Sequence, residues 1–172
     1  LVRSRGLGDV YKRQRLILPV ASVLGGLVDF VIAFVVLIGM MVYFKVSPAW
    51  SVLWTLPLFL LLAMVTALGV ALWLSAINVQ YRDVNYALPF LTQFWLFITP
   101  VIYSSSGFSE KMRLAYSLNP MAGVVNGFRW ALLGSGTGPD ASLWVSVTIS
   151  FLVLIGGLFY FRNMEKTFAD TI

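Results

Sequence analysis

PVASVLGGLVDFVIAFVVLIGMMVYF, residues 19–44, carries one charge, Asp29, in an otherwise apolar run. A helix needs about 20 mostly apolar residues to cross a bilayer core of roughly 30 Å. The stretch therefore reads as a membrane span, closed by Lys45-Val-Ser-Pro48. Working outward, three more stretches follow. Trp50–Ile77 is interrupted by Pro57 and Gly69 and runs into the polar segment Asn78–Asn85. Ala87–Tyr103 is short and aromatic, with Pro89 and Pro100 near its ends, and Leu143–Phe161 stops at Arg162-Asn-Met-Glu-Lys166. Gly and Pro are tolerated in such helices because neighbouring groups satisfy the freed backbone. The expected fold is an all-α membrane protein with four transmembrane helices and no soluble domain or internal repeat.

Composition agrees. The chain has 172 residues, 59% hydrophobic and 11% charged, with mean hydropathy +0.87; soluble domains are about 45–50% apolar and about 25% charged. It has no His and no Cys. That excludes zinc sites, haem ligation by His, thiol nucleophiles, Ser-His-Asp triads and disulfides. Gly134-Ser-Gly-Thr-Gly138 lacks the Lys of a phosphate-binding loop, so any ATP hydrolysis belongs to a partner. Transport, assembly within the lipid phase and carboxylate chemistry remain.

The net charge of +5 and pI of 9.8 invite a nucleic-acid or anionic-lipid partner, but LVRSRGLGDVYKRQ, residues 1–14, supplies most of the excess. Asp9 to Gln14 back-translates as GAT GTG TAT AAG AGA CAG and resembles the end of a transposase sequencing adapter. Residues 1–14 are read as library sequence fused to a gene fragment, residues 15–172, whose native protein is longer. The alternative is a basic juxtamembrane segment on anionic head groups. Without them 8 basic and 6 acidic residues remain, and no nucleic-acid partner is expected.

Ser104–Ser142 is too long for a turn and too apolar for a solvated loop. Glu110–Leu118 reads as a short helix with Met112, Leu114, Tyr116 and Leu118 as its apolar members. Asn119-Pro120 breaks it, and Met121–Leu133 reads as a second helix, stopped by the glycine-rich run. Gly123 and Gly127 are four apart, a spacing that lets helices approach closely. The pair looks like a re-entrant hairpin before the last span, which survives at membrane depth only under protein or around a wet cavity. Arg15, Arg82, Arg162 and Lys166 fall on one face, and Lys45, Lys111, Arg113 and Arg129 on the other, so loop charge does not choose a topology.

Asp29 is the only mid-span acid. Such a carboxylate is costly and marks function by default, against the alternatives of a hydrogen bond to a neighbouring helix or a position near the interface. No proton relay is expected, for want of a second acid. Arg82-Asp83 sits in a polar connection, either a local ion pair worth little or a docking loop. Arg129, with Asn126 before it, either snorkels or touches a polar substrate. Tyr86, Phe90, Phe94, Trp95, Phe97 and Tyr103 cluster around the third span. An interfacial belt accounts for Tyr86 and Tyr103, whereas mid-span Trp95 either packs on a helix or lines a path for sugar rings.

Arg15-Leu-Ile-Leu-Pro19, Asn78–Tyr103 with its Tyr-Arg-Asp loop, Ser117–Gly134 with Asn-Pro and Phe-Arg-Trp, and Phe159–Ile172 together resemble the permease subunit of ABC-2 type exporters. The branch is the one that exports O-antigen, capsule and teichoic acid. The resemblance implies a six-span protein of which this chain carries spans three to six, multi-pass in the inner (cytoplasmic) membrane with both ends cytoplasmic. It implies a permease homodimer, a cognate ABC ATPase that binds the ATP and Mg, surrounding membrane lipid, and a lipid-linked glycan substrate. The chain itself would bind no cofactor or metal and catalyse nothing. Arg15, Pro19, Tyr81, Arg82 and Asp83 become candidates for coupling to the ATPase. Asn119, Pro120, Asn126 and Arg129 become candidates for an outer re-entrant gate, and Asp29, Phe94 and Trp95 for the channel lining. One departure is Ser109, where family hairpins often carry Pro before Glu-Lys; Ser is a good N-cap, so the helix start should survive. The competing readings are an enzyme acting on polyprenyl-linked lipids, which needs clustered acids at a membrane face, and a secondary transporter, which needs repeats and paired intramembrane charges.

Overall fold

A computed structural model describes residues 2–48, 50–81, 83–103, 107–134 and 138–169, with 2–16 and 165–169 as backbone alone. Every element among them is a helix: α1 (Val2–Tyr43), α2 (Val52–Gln80), α3 (Val84–Ile98), α4 (Glu110–Ser117), α5 (Pro120–Leu133) and α6 (Ala141–Ala169). The chain divides after Phe44 into two units.

The first unit is α1. Its apolar part, Ile17–Tyr43, is long enough to cross a membrane, and the helical backbone continues through Pro19 back to Val2. Asp29 is exposed and stands about 18 Å from Ile17, counting 1.5 Å per residue. That depth is inside the apolar span rather than at its edge.

The second unit is built on α2 and α6. Thr66 meets Ser150, Gly69 faces the backbone of Leu154 and Gly157, and Trp73 stacks on Tyr160 at 4.8 Å. Residue numbers rise together along both helices, so α2 and α6 run parallel. Small residues make this possible. Thr66, Gly69, Ala76, Ser146 and Ser150 are buried alongside Phe59, Leu62, Leu72 and Phe161, while Leu58, Leu61, Trp144, Leu152 and Phe159 face outward. In lipid, large apolar side chains gain little by facing protein, and close packing of small residues holds helices together. Trp73 adds a hydrogen bond from Nε1 to the Val153 carbonyl at 3.1 Å.

Two parallel helices require the chain to return to its starting end between them. α3 and the residues after it make that return. Its 15 residues span about 22 Å. They stop short of the expected Tyr103 because Pro100 has no N–H to donate and drives Thr99 into the extended region, φ −83 and ψ 132, where a residue before proline belongs. Among the described residues, three helices are individually long and apolar enough to cross a membrane: Ile17–Tyr43, Val52–Gln80 and Ala141–Met164; Val84–Ile98 is a shorter apolar helix. The expected third span is thus the one whose length alone does not qualify it.

Candidate functional site

The hairpin forms where expected, at the end of the unit where α2 and α6 begin. Ser109 caps α4, its side chain accepting from the Met112 N–H, so the departure from Pro costs no helix start. Asn119 caps α5 through Oδ1 to the Met121 N–H at 3.1 Å, and Pro120 occupies the first turn, where its missing N–H costs nothing. Gly134, at φ 62, ends α5 in the left-handed conformation that glycine adopts without strain. The Gly123 and Gly127 pair does what its spacing predicts. A Cβ on Gly123 would lie 2.5 Å from the Ser146 side chain, and one on Gly127 would collide with the Phe59 ring. α5 is thereby pressed against both long helices.

In α4, Met112 and Leu114 are exposed, as is Leu118 at its C-cap; Tyr116 is half-buried, and the residue the helix buries is Ser117. The cause is again small-residue packing: the Ser146 hydroxyl donates to the Ser117 carbonyl at 3.0 Å, drawing the end of α4 onto α6. The sequence marks Arg113 only as a loop charge and gives Asp140 no role, yet the two pair at 3.4 Å. Asp140 Oδ1 accepts from the Ser142 N–H at 3.1 Å and the Leu143 N–H at 3.4 Å, capping α6. The available signal was Pro139-Asp140-Ala-Ser142 directly before an apolar run, a helix-start pattern.

The exit of α3 is tied to this hairpin. Asn119 Nδ2 donates to Thr99 Oγ1 at 2.9 Å, and Thr99 Oγ1 donates to the Trp95 carbonyl at 2.9 Å. Arg129 Nη2 donates to the carbonyls of Pro100 at 3.1 Å and Val101 at 3.3 Å, and its Nη1 lies 3.5 Å from Asn126 Oδ1. The guanidinium therefore binds the carbonyls just beyond a helix C-terminus, where a cation is favoured, rather than only snorkelling.

Trp95 lies in the last turn of α3 and is half exposed. It borders two clefts. One, of about 410 Å³, runs between α2, α3 and α5; the other, of about 580 Å³, runs between α3 and the α4–α5 turn. Phe94 and Tyr86 are exposed. Tyr103 packs with Phe108 and Tyr116 at 6.0 and 6.2 Å. Its hydroxyl points at the Phe97 and Ile98 carbonyls. Desolvation first, then the Tyr116 hydroxyl by hydrogen bond and charge, pushes its pKa up to about 12.

At the opposite end of the unit, Tyr81 caps α2 and Asp83 caps α3 by backbone alone; both are exposed. Arg82 and the side chain of Arg15 lie outside the described residues. Pro19, Asp29 and the Arg15 backbone belong to the α1 unit. The structure thus gathers Asn119, Pro120, Asn126, Arg129 and Trp95 at one end and keeps Tyr81 and Asp83 at the other. Among the described residues no group of three or more acids that could hold a metal ion comes together.

The profile described as ABC-2 type transporter matches residues 11–133. The O-antigen export system permease protein RfbA of Myxococcus xanthus is 27% identical over 159 residues, covering 91% of this chain and 60% of its own length. A protein of the same name from Klebsiella pneumoniae is 22% identical over 158 residues, covering 92% and 61%. The chain thus spans about 60% of the length of these relatives. No solved structure matches it.

Proposed function

The chain belongs to the ABC-2 type transporter permeases, a non-catalytic class of membrane subunit, and from that premise we infer that it forms part of an ATP-driven exporter of a lipid-linked polysaccharide or polyol phosphate. A separate ATPase subunit binds and hydrolyses ATP, two permeases form the path, and the glycan leaves across the inner membrane. The relatives' printed role in O-antigen export supports the substrate class.

The observation that carries this reading is the parallel run of α2 and α6. With α3 as the intervening crossing, the unit holds three passes and α1 supplies a fourth. The hairpin and the Tyr81–Asp83 connection then lie on opposite membrane faces. The connection meets the ATPase on the cytoplasmic side, and the hairpin closes the outer mouth. ATP biases this two-state path toward its open form. A lipid-processing enzyme is disfavoured by the dispersal of the acids. The test is reconstitution of the permease with a cognate ABC ATPase in vesicles loaded with lipid-linked glycan. ATP-dependent movement of glycan to the far leaflet is expected. Turnover of the lipid by the permease without an ATPase would instead establish the enzyme reading.

A further inference from the structure

α3 is the least packed helix of its unit. None of its residues is buried, and the two clefts on either side of its last turns leave room for it to move. Its exit, by contrast, is fastened at two separate points of α5: Asn119 at the N-cap and Arg129 in the third turn. Thr99 and Pro100 at that joint are buried. The other end of α3 begins at Asp83 in the polar connection.

A helix with its hydrogen bonds satisfied internally moves as a body. Pro89 leaves the Asn85 carbonyl without its usual donor, so the weak point of α3 lies near its Asp83 end. From Phe90 to Ile98 the helix is uninterrupted. One hydrogen bond at the exit would act as a pivot, whereas two separated attachments carry rotation as well as displacement. The hairpin is held on its far side by Ser146 to the Ser117 carbonyl and by Arg113 to Asp140. A push on Asn119 therefore acts against an anchored frame.

We propose that α3 is a lever, and that Asn119 with Thr99 and Arg129 with the Pro100 and Val101 carbonyls are the positioning contacts that deliver motion of the Asp83 end to the hairpin. The proposal rests on the exporter reading above and adds the route by which ATP turnover reaches the outer gate. Coupling between distant sites needs a contiguous physical element that both sites bias, and α3 is the helix that joins these two.

The test uses the full permease–ATPase complex in proteoliposomes. Thr99→Val removes the acceptor for Asn119 while leaving the Asn119 cap on Met121 intact, and Arg129→Gln removes the charge on the exit carbonyls. The double variant should keep its ATP hydrolysis while exporting about tenfold less glycan per ATP, within the usual range of site-to-site coupling. Arg129→Lys should recover part of that loss, because an ammonium still binds a carbonyl. The chain has no cysteine, so one cysteine at Val84 and one at Lys111 report the α3–hairpin distance on nucleotide trapping. That distance should hold in the wild type and spread in the double variant. An unchanged export-to-hydrolysis ratio, or equal loss of export and hydrolysis with a lowered melting temperature, overturns the lever. A wild-type complex that hydrolyses ATP without exporting glycan overturns the exporter reading itself.

Discussion

Replacing Gly157 by alanine drives a methyl group into the seam between α2 and α6. A Cβ there would lie 2.7 Å from the Gly69 carbonyl oxygen, 2.9 Å from Trp73 Cδ1 and 3.3 Å from Leu72 Cβ. Non-bonded heavy atoms prefer about 3.5–4.0 Å, and a helix backbone cannot rotate aside as a side chain does. The two helices must part locally by several tenths of an ångström to about 1 Å. That parting stretches the Trp73–Val153 hydrogen bond and the Thr66–Ser150 contact, which share the seam. Overpacking of this kind costs about 1–3 kcal/mol, and the better helix propensity of alanine returns up to about 1 kcal/mol. Because Gly25→Ala gains the same propensity, Gly157→Ala should be less stable than Gly25→Ala by about 1–3 kcal/mol. Gly25→Ala is the control, because nothing lies within 4 Å of a Cβ there. Equilibrium unfolding in mixed micelles titrated with SDS measures both variants. A Gly157→Ala protein as stable as the Gly25→Ala control would refute the parallel, backbone-close seam.

Asp140→Ala removes the α6 cap and the partner of Arg113 together and should cost about 1–2 kcal/mol or more. Asp140→Asn keeps the cap and loses only the half-exposed ion pair, so its loss should be smaller; thermal melting of the two variants separates the contributions. The Tyr103 hydroxyl favours its neutral form in the fold, with a pKa raised from 10.0 to about 12. Its contribution to stability is therefore full below pH 10 and is lost between pH 10 and about 12, where the unfolded chain ionises first. Tyr103→Phe should flatten that alkaline decline in unfolding midpoint against pH, and an unchanged decline would show that Tyr103 is not its source.

Apolar length made the long helices legible, and Ser109, Asn119-Pro120 and the Gly134 run marked the hairpin, because capping chemistry is local. The inward face was harder to read. In water, Met112, Leu114 and Leu118 would mark the buried side of α4, but this chain buries Ser117, Ser146, Ser150 and Thr66 instead. Hydrophobicity does not separate a lipid-facing surface from a core, whereas small-residue spacing does. Gly123 and Gly127 showed that signal; Ser146 and Ser150, also four apart, carried it unremarked. Asn119 and Arg129 were singled out from the sequence, yet their attachment to Thr99, Pro100 and Val101 depends on a contact between residues some 20 to 29 apart in the chain, which no local pattern encodes. The apolar run around Trp95 continues to Tyr103, and the helix ends earlier because Pro100 ends it.

The placement of the hairpin and the Tyr81–Asp83 connection on opposite faces of the membrane is most directly tested by cysteine accessibility. The chain has no native cysteine, so single substitutions at Lys111 and at Asn85 report one site each to a membrane-impermeant maleimide. The cysteine at Lys111 should label in intact spheroplasts and that at Asn85 only after their lysis. Labelling of both from the same side would show that α3 does not cross, and would remove the basis for a gate at one end and ATPase coupling at the other.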